Sequence, residues 1–294
     1  MEQAGMMHWR AGFISAVLAL ALLLAAGPSL AADDKCKPLC SSGGTTLAIA
    51  TGSPGELGLL GELAGAFCER RPAALCWRKA GSGASLRLLK QGTVDLAFVH
   101  APEAEKQAVA QDWATDRTLI GGNRFYLVGP SEDPARAAEA VNAAEAYARI
   151  AKNQARFITR ADNSGTHKRE MAIWREAGVQ PEGGWYLPSR DFMMASLRLA
   201  AREGAYFMTD SSTWLVGKAR FGLDGLAVLR ADDPELANAY HALRRAGESP
   251  NSQLVREFIA FLASPAGQRI IAGYGRRAYG EPLYENAAKA TNTH

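Results

Sequence analysis

The segment from Phe157 to Glu170 combines residue types that can bind a buried anion. A strand-like run, Phe157–Thr159, delivers Arg160, and a turn rich in hydroxyl groups precedes a charged segment with helical character. The first N–H groups of a helix have no partner within the helix and carry the positive end of its dipole. Arg160 adds a full charge with a planar set of donors, unless it pairs only with Asp162. The residues predicted to bind the anion here are Arg160, Ser164, Gly165 and Thr166.

Two earlier turns have a similar character. The first, residues 51–55, follows an apolar strand-like segment, and the second, residues 81–85, precedes a segment with helical spacing. Their backbone N–H and hydroxyl groups can donate hydrogen bonds to a small anion. Each turn on its own is also compatible with simple helix capping, which is common for serine. Taken with Arg160, the two turns predict further substrate-binding residues: Thr51, Gly52, Ser53, Ser82 and Gly83.

His167 and Asp210 have two interpretations each. His167 either donates to the anion or caps the local helix, and Asp210 either receives a cation or makes a structural pair. No Gly-x-Ser-x-Gly motif surrounds Ser53, and neither a phosphate-binding loop nor a dinucleotide fingerprint is present. No His or carboxylate pair has metal-ligand spacing. The sequence thus predicts a binding protein with no catalytic residues, no metal and no cofactor.

The amino-terminal segment predicts export. Arg10 precedes an apolar run, Phe13–Ala26, that is shorter than the about 20 residues of a membrane span. Small residues at Ser29-Leu30-Ala31 suit cleavage, so residues 1–31 are predicted to be a signal peptide and the mature chain to be periplasmic. A retained membrane anchor is the alternative.

Charge and cysteine content narrow the class further. The chain has 33 basic and 30 acidic residues that are scattered rather than clustered, which argues against a nucleic-acid partner. A monomer is expected. The four cysteines lie in two close pairs, and an oxidising compartment favours local disulfides. We predict a Cys68–Cys76 bridge, and leave open whether a Cys36–Cys40 bridge forms in the leader segment.

Apolar strand-like segments alternate with helical ones along the chain, which predicts βαβ units and an α/β fold. The three hydroxyl-rich turns lie between strand ends and helix starts, where open α/β sheets bind ligands. Two such turns occur early and one after residue 150, so two lobes should face each other across a cleft. The predicted organisation is a leader at 32–44, lobe 1 at 45–125 with 212–294, and lobe 2 at 126–211.

Several segments in a fixed order have a combination of residues that is specific to one family: Val99–Glu105, Phe157–Lys168, Glu182–Tyr186, Gly204–Tyr206, Thr209-Asp210 and Thr213-Trp214. Through them the chain resembles the periplasmic tungstate-binding components of tungstate ABC importers over most of its exported part. The resemblance implies a type II periplasmic binding protein, with two α/β lobes of mixed, mainly parallel sheets around a ligand cleft. It also implies a tetrahedral oxyanion ligand, tungstate or molybdate, and an ABC permease with its ATPase as partners.

In this family, the first turn, the second turn and the Arg with Ser-Gly-Thr of the second lobe bind the anion, which matches the residues named above. Two segments depart from the family pattern. The first turn of relatives reads Thr-Thr-Thr-Ser, and here it is Ala50-Thr51-Gly52-Ser53. The Arg of the family's Thr-Asp-Arg-Gly-Thr-Trp is replaced by Ser211. Both departures bear on which oxyanion is preferred.

Two other functions are compatible with the sequence. An exported sensor or accessory protein with the same fold could bind another anion or a small organic acid. A periplasmic hydrolase of a phosphorylated or sulfated substrate could use Ser53 or Asp210.

Overall fold

The computed structural model describes residue 1 and residues 35–291 of the chain. The predicted signal peptide lies outside the described residues, apart from residue 1. Strands and helices alternate along much of the described chain, which confirms the α/β class. The strands are β1 (Lys37–Ser41), β2 (Thr46–Thr51), β3 (Ala74–Lys79), β4 (Leu96–Val99), β5 (Ala114–Pro130), β6 (Phe157–Thr159), β7 (Tyr186–Pro188), β8 (Tyr206–Asp210), β9 (Leu226–Arg230), β10 (Ala237–Arg245) and β11 (Glu285–Asn286).

The helices connect these strands, and none in the described part is long and apolar enough to cross a membrane. Two short 3-10 segments cover Ala137–Glu139 and Pro234–Leu236. The α-helices are α1 (Ser53–Glu56), α2 (Leu59–Cys68), α3 (Ser82–Lys90), α4 (Pro102–Ala110), α5 (Ala143–Lys152), α6 (Gly165–Glu176), α7 (Met193–Glu203), α8 (Ser211–Phe221), α9 (Ser252–Ala263), α10 (Pro265–Gly273), α11 (Arg276–Tyr279) and α12 (Ala287–Thr291).

The strands of the described chain form one mixed sheet in the order β1-β3-β2-β4-β10-β5-β8-β6-β7, with β9 and β11 paired to β5. Parallel pairing links β2 to β3 and β4, and it links β6 to β7 and β8. The pairings of β5 and β10 are antiparallel. The predicted mixed sheet is confirmed, but it is not mainly parallel, since four pairings of the described strands are parallel and six are antiparallel. The parallel pairs lie in the two regions built from βαβ units.

Strand β5 belongs to both halves of the sheet. It pairs with β10 up to Arg124 and with β8 from Phe125 onward. We call β1, β3, β2, β4 and β10 the first half-sheet, and β8, β6, β7 and β9 the second. The two half-sheets are therefore joined by continuous strand backbone. The lobe boundaries given above stay a prediction, and the change of partner along β5 lies beside one of them.

Hydrophobic clusters cover both faces of each half-sheet. In β2, Leu47 and Ile49 contribute to one cluster and Ala50 to another, because successive side chains point to opposite faces. In the second half-sheet, Phe157 and Ile158 are divided in the same way. A strand covered on both faces must be apolar along its length, which explains the unbroken apolar pattern of β2.

Several elements were not predicted from the sequence. The first part of β5 contains Gly121-Gly122, a pair that is typical of turns. Here the glycines are needed because β11 pairs closely with β5, and a Cβ at Gly121 would lie 2.6 Å from Glu285 O. The Ala-rich stretch 135–153 has a composition typical of a single helix, but it is divided into a 3-10 segment and α5. The division occurs because the side chain of Asn142 accepts a hydrogen bond from Glu145 N at 2.8 Å and begins a new helix there.

The four cysteines form two long-range disulfides. Cys36 bonds to Cys76, and Cys40 bonds to Cys68, with Cα–Cα distances of 5.4 and 6.3 Å. The predicted local bridges, Cys36–Cys40 and Cys68–Cys76, are therefore wrong. The participation of all four cysteines in disulfides agrees with the prediction.

The geometry of β1 explains this correction. Residues 35–44 of the leader include β1, which pairs antiparallel with β3. In an extended strand, Cys36 and Cys40 are about 13 Å apart, which is too far for a disulfide. The pairing of β1 with β3 instead brings Cys36 close to Cys76, and α2 packs against β1 with Cys68 at its end.

Mapping the disulfides tests this arrangement. Non-reducing proteolysis with mass spectrometry should recover peptides that join Cys36 to Cys76 and Cys40 to Cys68. The double variant Cys36→Ser/Cys76→Ser should lose about 2–4 kcal/mol of unfolding free energy, because the unfolded chain gains conformational freedom. Recovery of Cys36–Cys40 peptides from the folded protein would contradict the structure.

Candidate functional site

The three predicted turns lie between the two half-sheets, where the carboxyl ends of β2 and β3 face the carboxyl end of β6, which runs in the opposite direction. The first follows β2, the second follows β3, and the third follows β6. The first two turns are held side by side, since Ala80 N donates to Thr51 O at 3.1 Å and Trp77 Nε1 donates to the same oxygen at 2.8 Å. The carboxyl ends of these parallel strands thus place the turns next to each other, as open α/β sheets do at ligand sites.

The second and third turns touch across the two half-sheets. A Cβ built on Gly81 would lie 3.0 Å from Ser164 Cβ, and one built on Gly83 would lie 2.6 Å from Asn163 O. No real side chain tolerates the second distance without a shift of backbone. The two glycines are therefore required for the close approach of the turns, and the structure brings together the predicted residues of both halves.

The third turn is organised by its own side chains. Ser164 caps α6 by accepting a hydrogen bond from His167 N, and Asp162 Oδ1 accepts one from Ser164 N at 3.0 Å. His167 Nδ1 accepts a hydrogen bond from Asn163 N at 3.1 Å. Burial lowers the pKa of His167, so the neutral ring that can accept this bond is favoured. His167 therefore has the local capping role, one of its two predicted interpretations.

Arg160 is buried at the start of this turn, with 5 % of its surface exposed. Its Nη2 donates to Asp162 Oδ2 in a buried ion pair. Its guanidinium also lies 5.8 Å from the ring centroid of Phe192, whose ring is contacted at 4.1 Å by Lys79 Nζ. The predicted alternative pairing with Asp162 thus occurs, but it engages only one side of the guanidinium.

Three buried donors of the predicted site have no hydrogen-bond partner among the described residues. They are Thr51 Oγ1, Arg160 Nε and Thr166 Oγ1. Leaving a buried polar group unpaired costs about 1–3 kcal/mol, so such atoms are rare unless a ligand satisfies them. Thr51 belongs to the first turn, and Arg160 and Thr166 belong to the third. The described residues contain no group of three or more His, Cys, Asp or Glu arranged to hold a metal ion.

The hydroxyl groups of the two predicted serines differ in availability. Ser53 Oγ donates to Asp210 Oδ2 at 3.2 Å, so its hydrogen points away from a ligand. Ser82 Oγ accepts a hydrogen bond from His100 N at 3.1 Å, which leaves its own hydrogen free to donate. Gly52 offers only its backbone. The first turn therefore contributes the Thr51 hydroxyl and backbone N–H groups rather than the Ser53 hydroxyl.

Asp210 has a structural role. It caps α8 by accepting hydrogen bonds from Thr213 N and Thr213 Oγ1, both at 2.8 Å. Asn123 Nδ2 donates to Asp210 Oδ1 at 3.4 Å, in addition to the bond from Ser53 to Oδ2. The carboxylate thus links β5, α1 and α8 where the two half-sheets join. Of its two predicted interpretations, the structural pair is the one that the structure contains.

His100 belongs to the site but was not predicted. It directly follows β4, and its Nδ1 lies 2.7 Å from Asn238 Oδ1. Its ring stacks on Tyr240 at 4.7 Å, and a Cβ built on Gly165 would lie 2.7 Å from the ring. Burial is the main cause of the lowered pKa of His100. Its position at the end of a central strand was the available sequence feature, since the first two turns follow the parallel strands β2 and β3 beside it.

The geometry agrees with comparisons to known proteins. A family model described as a PBP superfamily domain matches residues 41–266. The tungstate-binding protein TupA of Peptoclostridium acidaminophilum is 32% identical over 282 residues, which cover 94% of this chain and 98% of that protein. The chain belongs to the TupA family of the PBP superfamily. The resemblance inferred from the sequence is thereby confirmed.

Solved structures support this membership of the TupA family. The tungstate-binding protein TupA from Desulfovibrio alaskensis G20 aligns with a TM-score of 0.66 at 31% identity, covering 83% of this chain and 99% of that one. The tungstate ABC transporter structure from Geobacter sulfurreducens also aligns with a TM-score of 0.66, at 30% identity over 78% of this chain and 98% of that one.

Removal of the Asp210 side chain tests its structural role. Asp210→Ala should lower the unfolding free energy by about 2 kcal/mol or more, because α8 loses its cap and buried donors lose their acceptor. Urea unfolding measures this change. Asp232→Ala, at an exposed position, should stay within about 0.5 kcal/mol of the unaltered protein. Equal stability of the two variants would contradict the role.

Proposed function

We propose that this protein is an extracytoplasmic receptor that binds a tetrahedral oxyanion, foremost tungstate and next molybdate, and delivers it to an ABC permease and its ATPase. The observation that carries the proposal is a set of three buried donors on the first and third turns that have no partner among the described residues: Thr51 Oγ1, Arg160 Nε and Thr166 Oγ1. The printed names of the relatives, tungstate-binding proteins, support the choice of ligand.

An oxyanion suits these donors because its oxygens only accept hydrogen bonds. The N-terminus of α6 adds backbone N–H groups near Gly165 and Thr166, and Ser82 adds a hydroxyl hydrogen. Charge-assisted hydrogen bonds of this kind are strongest where water is excluded, and Thr51, Thr166 and Ser82 are nearly or fully buried. The proposed ligand residues are Thr51, Gly52, Ser82, Gly83, Arg160, Ser164, Gly165 and Thr166, with Ser53 in a supporting role.

Selectivity among oxyanions would follow from the hydrogen-bond acceptors in the cleft as well as from the size of the anion. A phosphate that carries a proton needs an acceptor for it, but the oxygens of Asp162 already accept bonds from Arg160 and Ser164. A fully ionised tetrahedral anion has no such need. The larger tungstate and molybdate would then be separated from sulfate by the size of the cleft.

The same contacts support a transport role rather than catalysis. The Ser53 hydroxyl is bonded to Asp210, whose carboxylate is occupied as a helix cap, so the geometry does not favour Ser53 as a nucleophile. We propose that residues 45–125 with 212–294 and residues 126–211 act as two lobes that close on the anion. The closed surface would be what the permease recognises. A periplasmic location and a monomeric state belong to the same proposal.

Titration calorimetry with tungstate, molybdate, sulfate and phosphate tests the proposal. We expect heat from tungstate and molybdate, and weaker or no binding of the other two. Arg160→Ala should weaken tungstate binding by at least about 2 kcal/mol, because the anion loses a charged donor and Asp162 loses its partner. Arg156→Ala removes an exposed arginine and should leave affinity unchanged. Flat traces for all four anions would refute the proposed function.

The close approach of Gly165 to His100 can be tested by adding a methyl group. Gly165→Ala should lower tungstate affinity at least about tenfold, because the added methyl would lie 2.7 Å from both the ring and the backbone oxygen of His100. Gly184→Ala is the matched control, since a Cβ built on Gly184 would have no other atom within 4 Å. Equal affinities of the two variants, measured by calorimetry, would show that this contact is not needed for binding.

A further inference from the structure

Glu170 is a buried acid behind the third turn, and the proposed binding mode does not use it. Only 1 % of its surface is exposed. It lies one helical turn after Thr166 on α6, so the two side chains project from the same side of the helix. The spacing along the helix axis is about 6 Å. A carboxyl group therefore sits close behind a hydroxyl that has no protein partner among the described residues.

The two oxygens of Glu170 have different surroundings. Oε1 accepts hydrogen bonds from the Tyr186 hydroxyl at 2.5 Å and from Trp174 Nε1 at 3.3 Å. Oε2 has no hydrogen-bond partner in the part of the chain that the structure describes. The Tyr147 ring packs on Trp174 at 4.4 Å, so aromatic side chains surround the carboxyl. Oε2 is therefore a buried oxygen that is available to carry a proton.

Burial raises the pKa of Glu170 to about 7. Hydrogen bonds from Tyr186 on β7 and Trp174 on α6, together with the nearby Thr159 hydroxyl on β6, oppose this rise, and the negative charge of Asp162 adds to it. From α5, Tyr147 faces the same carboxyl, and the pKa of that phenol is raised first by burial and then by the charge of Glu170. Glu170 is thus close to the midpoint between its ionised and neutral forms at neutral pH.

The balance of charge in the cleft makes this group sensitive to an anion. Arg160 is already paired with Asp162, and Asp210 contributes a second carboxylate on the opposite side. The positive charge of the cleft would therefore neutralise only part of the charge of a dianion bound at the N-terminus of α6. An ionised Glu170 one turn away would repel it, and burial leaves little water to screen the repulsion.

We propose that Glu170 couples anion binding to proton uptake: it binds one solvent proton on Oε2 when the oxyanion occupies the cleft. The step forms one O–H bond on Glu170, takes the proton from the buffer and leaves the anion unchanged. Glu170 is a positioning residue here, since it acts through charge and does not contact the anion. This inference rests on the proposed function.

The sign of the pH dependence follows from linkage. Binding that takes up protons is favoured at lower pH, so affinity falls as pH rises through the pKa of the unliganded form. At about pH 7, roughly half of the unliganded molecules already carry the proton, so about half a proton should be taken up per anion. Tungstate affinity should fall several-fold between about pH 6.5 and about pH 8.5.

Calorimetry of tungstate binding in buffers with different ionisation enthalpies measures the proton number directly. The unaltered protein should take up about half a proton at about pH 7. Glu170→Gln, which keeps the shape and the acceptor for Tyr186, should take up none and show a flat pH profile. Infrared difference spectra should show the carbonyl band of a neutral carboxylic acid growing when tungstate is added to the unaltered protein.

Two control variants separate Glu170 from its neighbours. Glu103→Gln removes an exposed carboxyl and should retain the proton number. His100→Gln should alter affinity and retain the proton number as well. Tungstate binding without proton uptake, or uptake that persists in Glu170→Gln or disappears in His100→Gln, would overturn this inference and leave the proposed function intact. Absence of tungstate binding would instead overturn the proposed function.

Discussion

A hydrogen-bond donor that is removed from water needs a partner, and this constraint governs the cleft. Most buried donors here are satisfied, as the caps at Ser164 and Asp210 illustrate. Among the described residues, the unpaired buried donors of Thr51, Arg160 and Thr166 lie on turns that face one another. Because each unpaired group costs about 1–3 kcal/mol, the site is destabilised until an acceptor arrives. The fold, the glycine contacts and the proposed ligand all depend on this unsatisfied state.

The rest of the fold provides the stability that such a site requires. Both half-sheets are covered by helices on each face, and β5 connects them without interruption. Asp210 stabilises the region where the two half-sheets join, because it accepts hydrogen bonds from groups on α1, β5 and α8. The turns can therefore carry close backbone contacts and unpaired atoms, since they are supported by large apolar cores on both sides.

Local sequence predicted the parts of the site that local structure determines. Thr51, Arg160 and Ser164 to Thr166 each follow the end of a strand, and their residue types indicate anion binding. Contacts between segments that are distant along the chain could not be predicted from local sequence. Ser53 and Asp210 are 157 residues apart, so their hydrogen bond could not be foreseen. The cysteine pairing failed for a related reason, because spacing along the chain says nothing about which strand lies beside β1.

The strands at the two ends of the main strand order, β1 and β7, each contain a proline. Pro38 lacks an N–H group and lies beside a bulge in the pairing of β1, and Pro188 ends the short strand β7. A neighbouring molecule that approached either edge would find an incomplete row of donors. Each proline thus makes its strand a poorer template for the addition of a strand from another molecule.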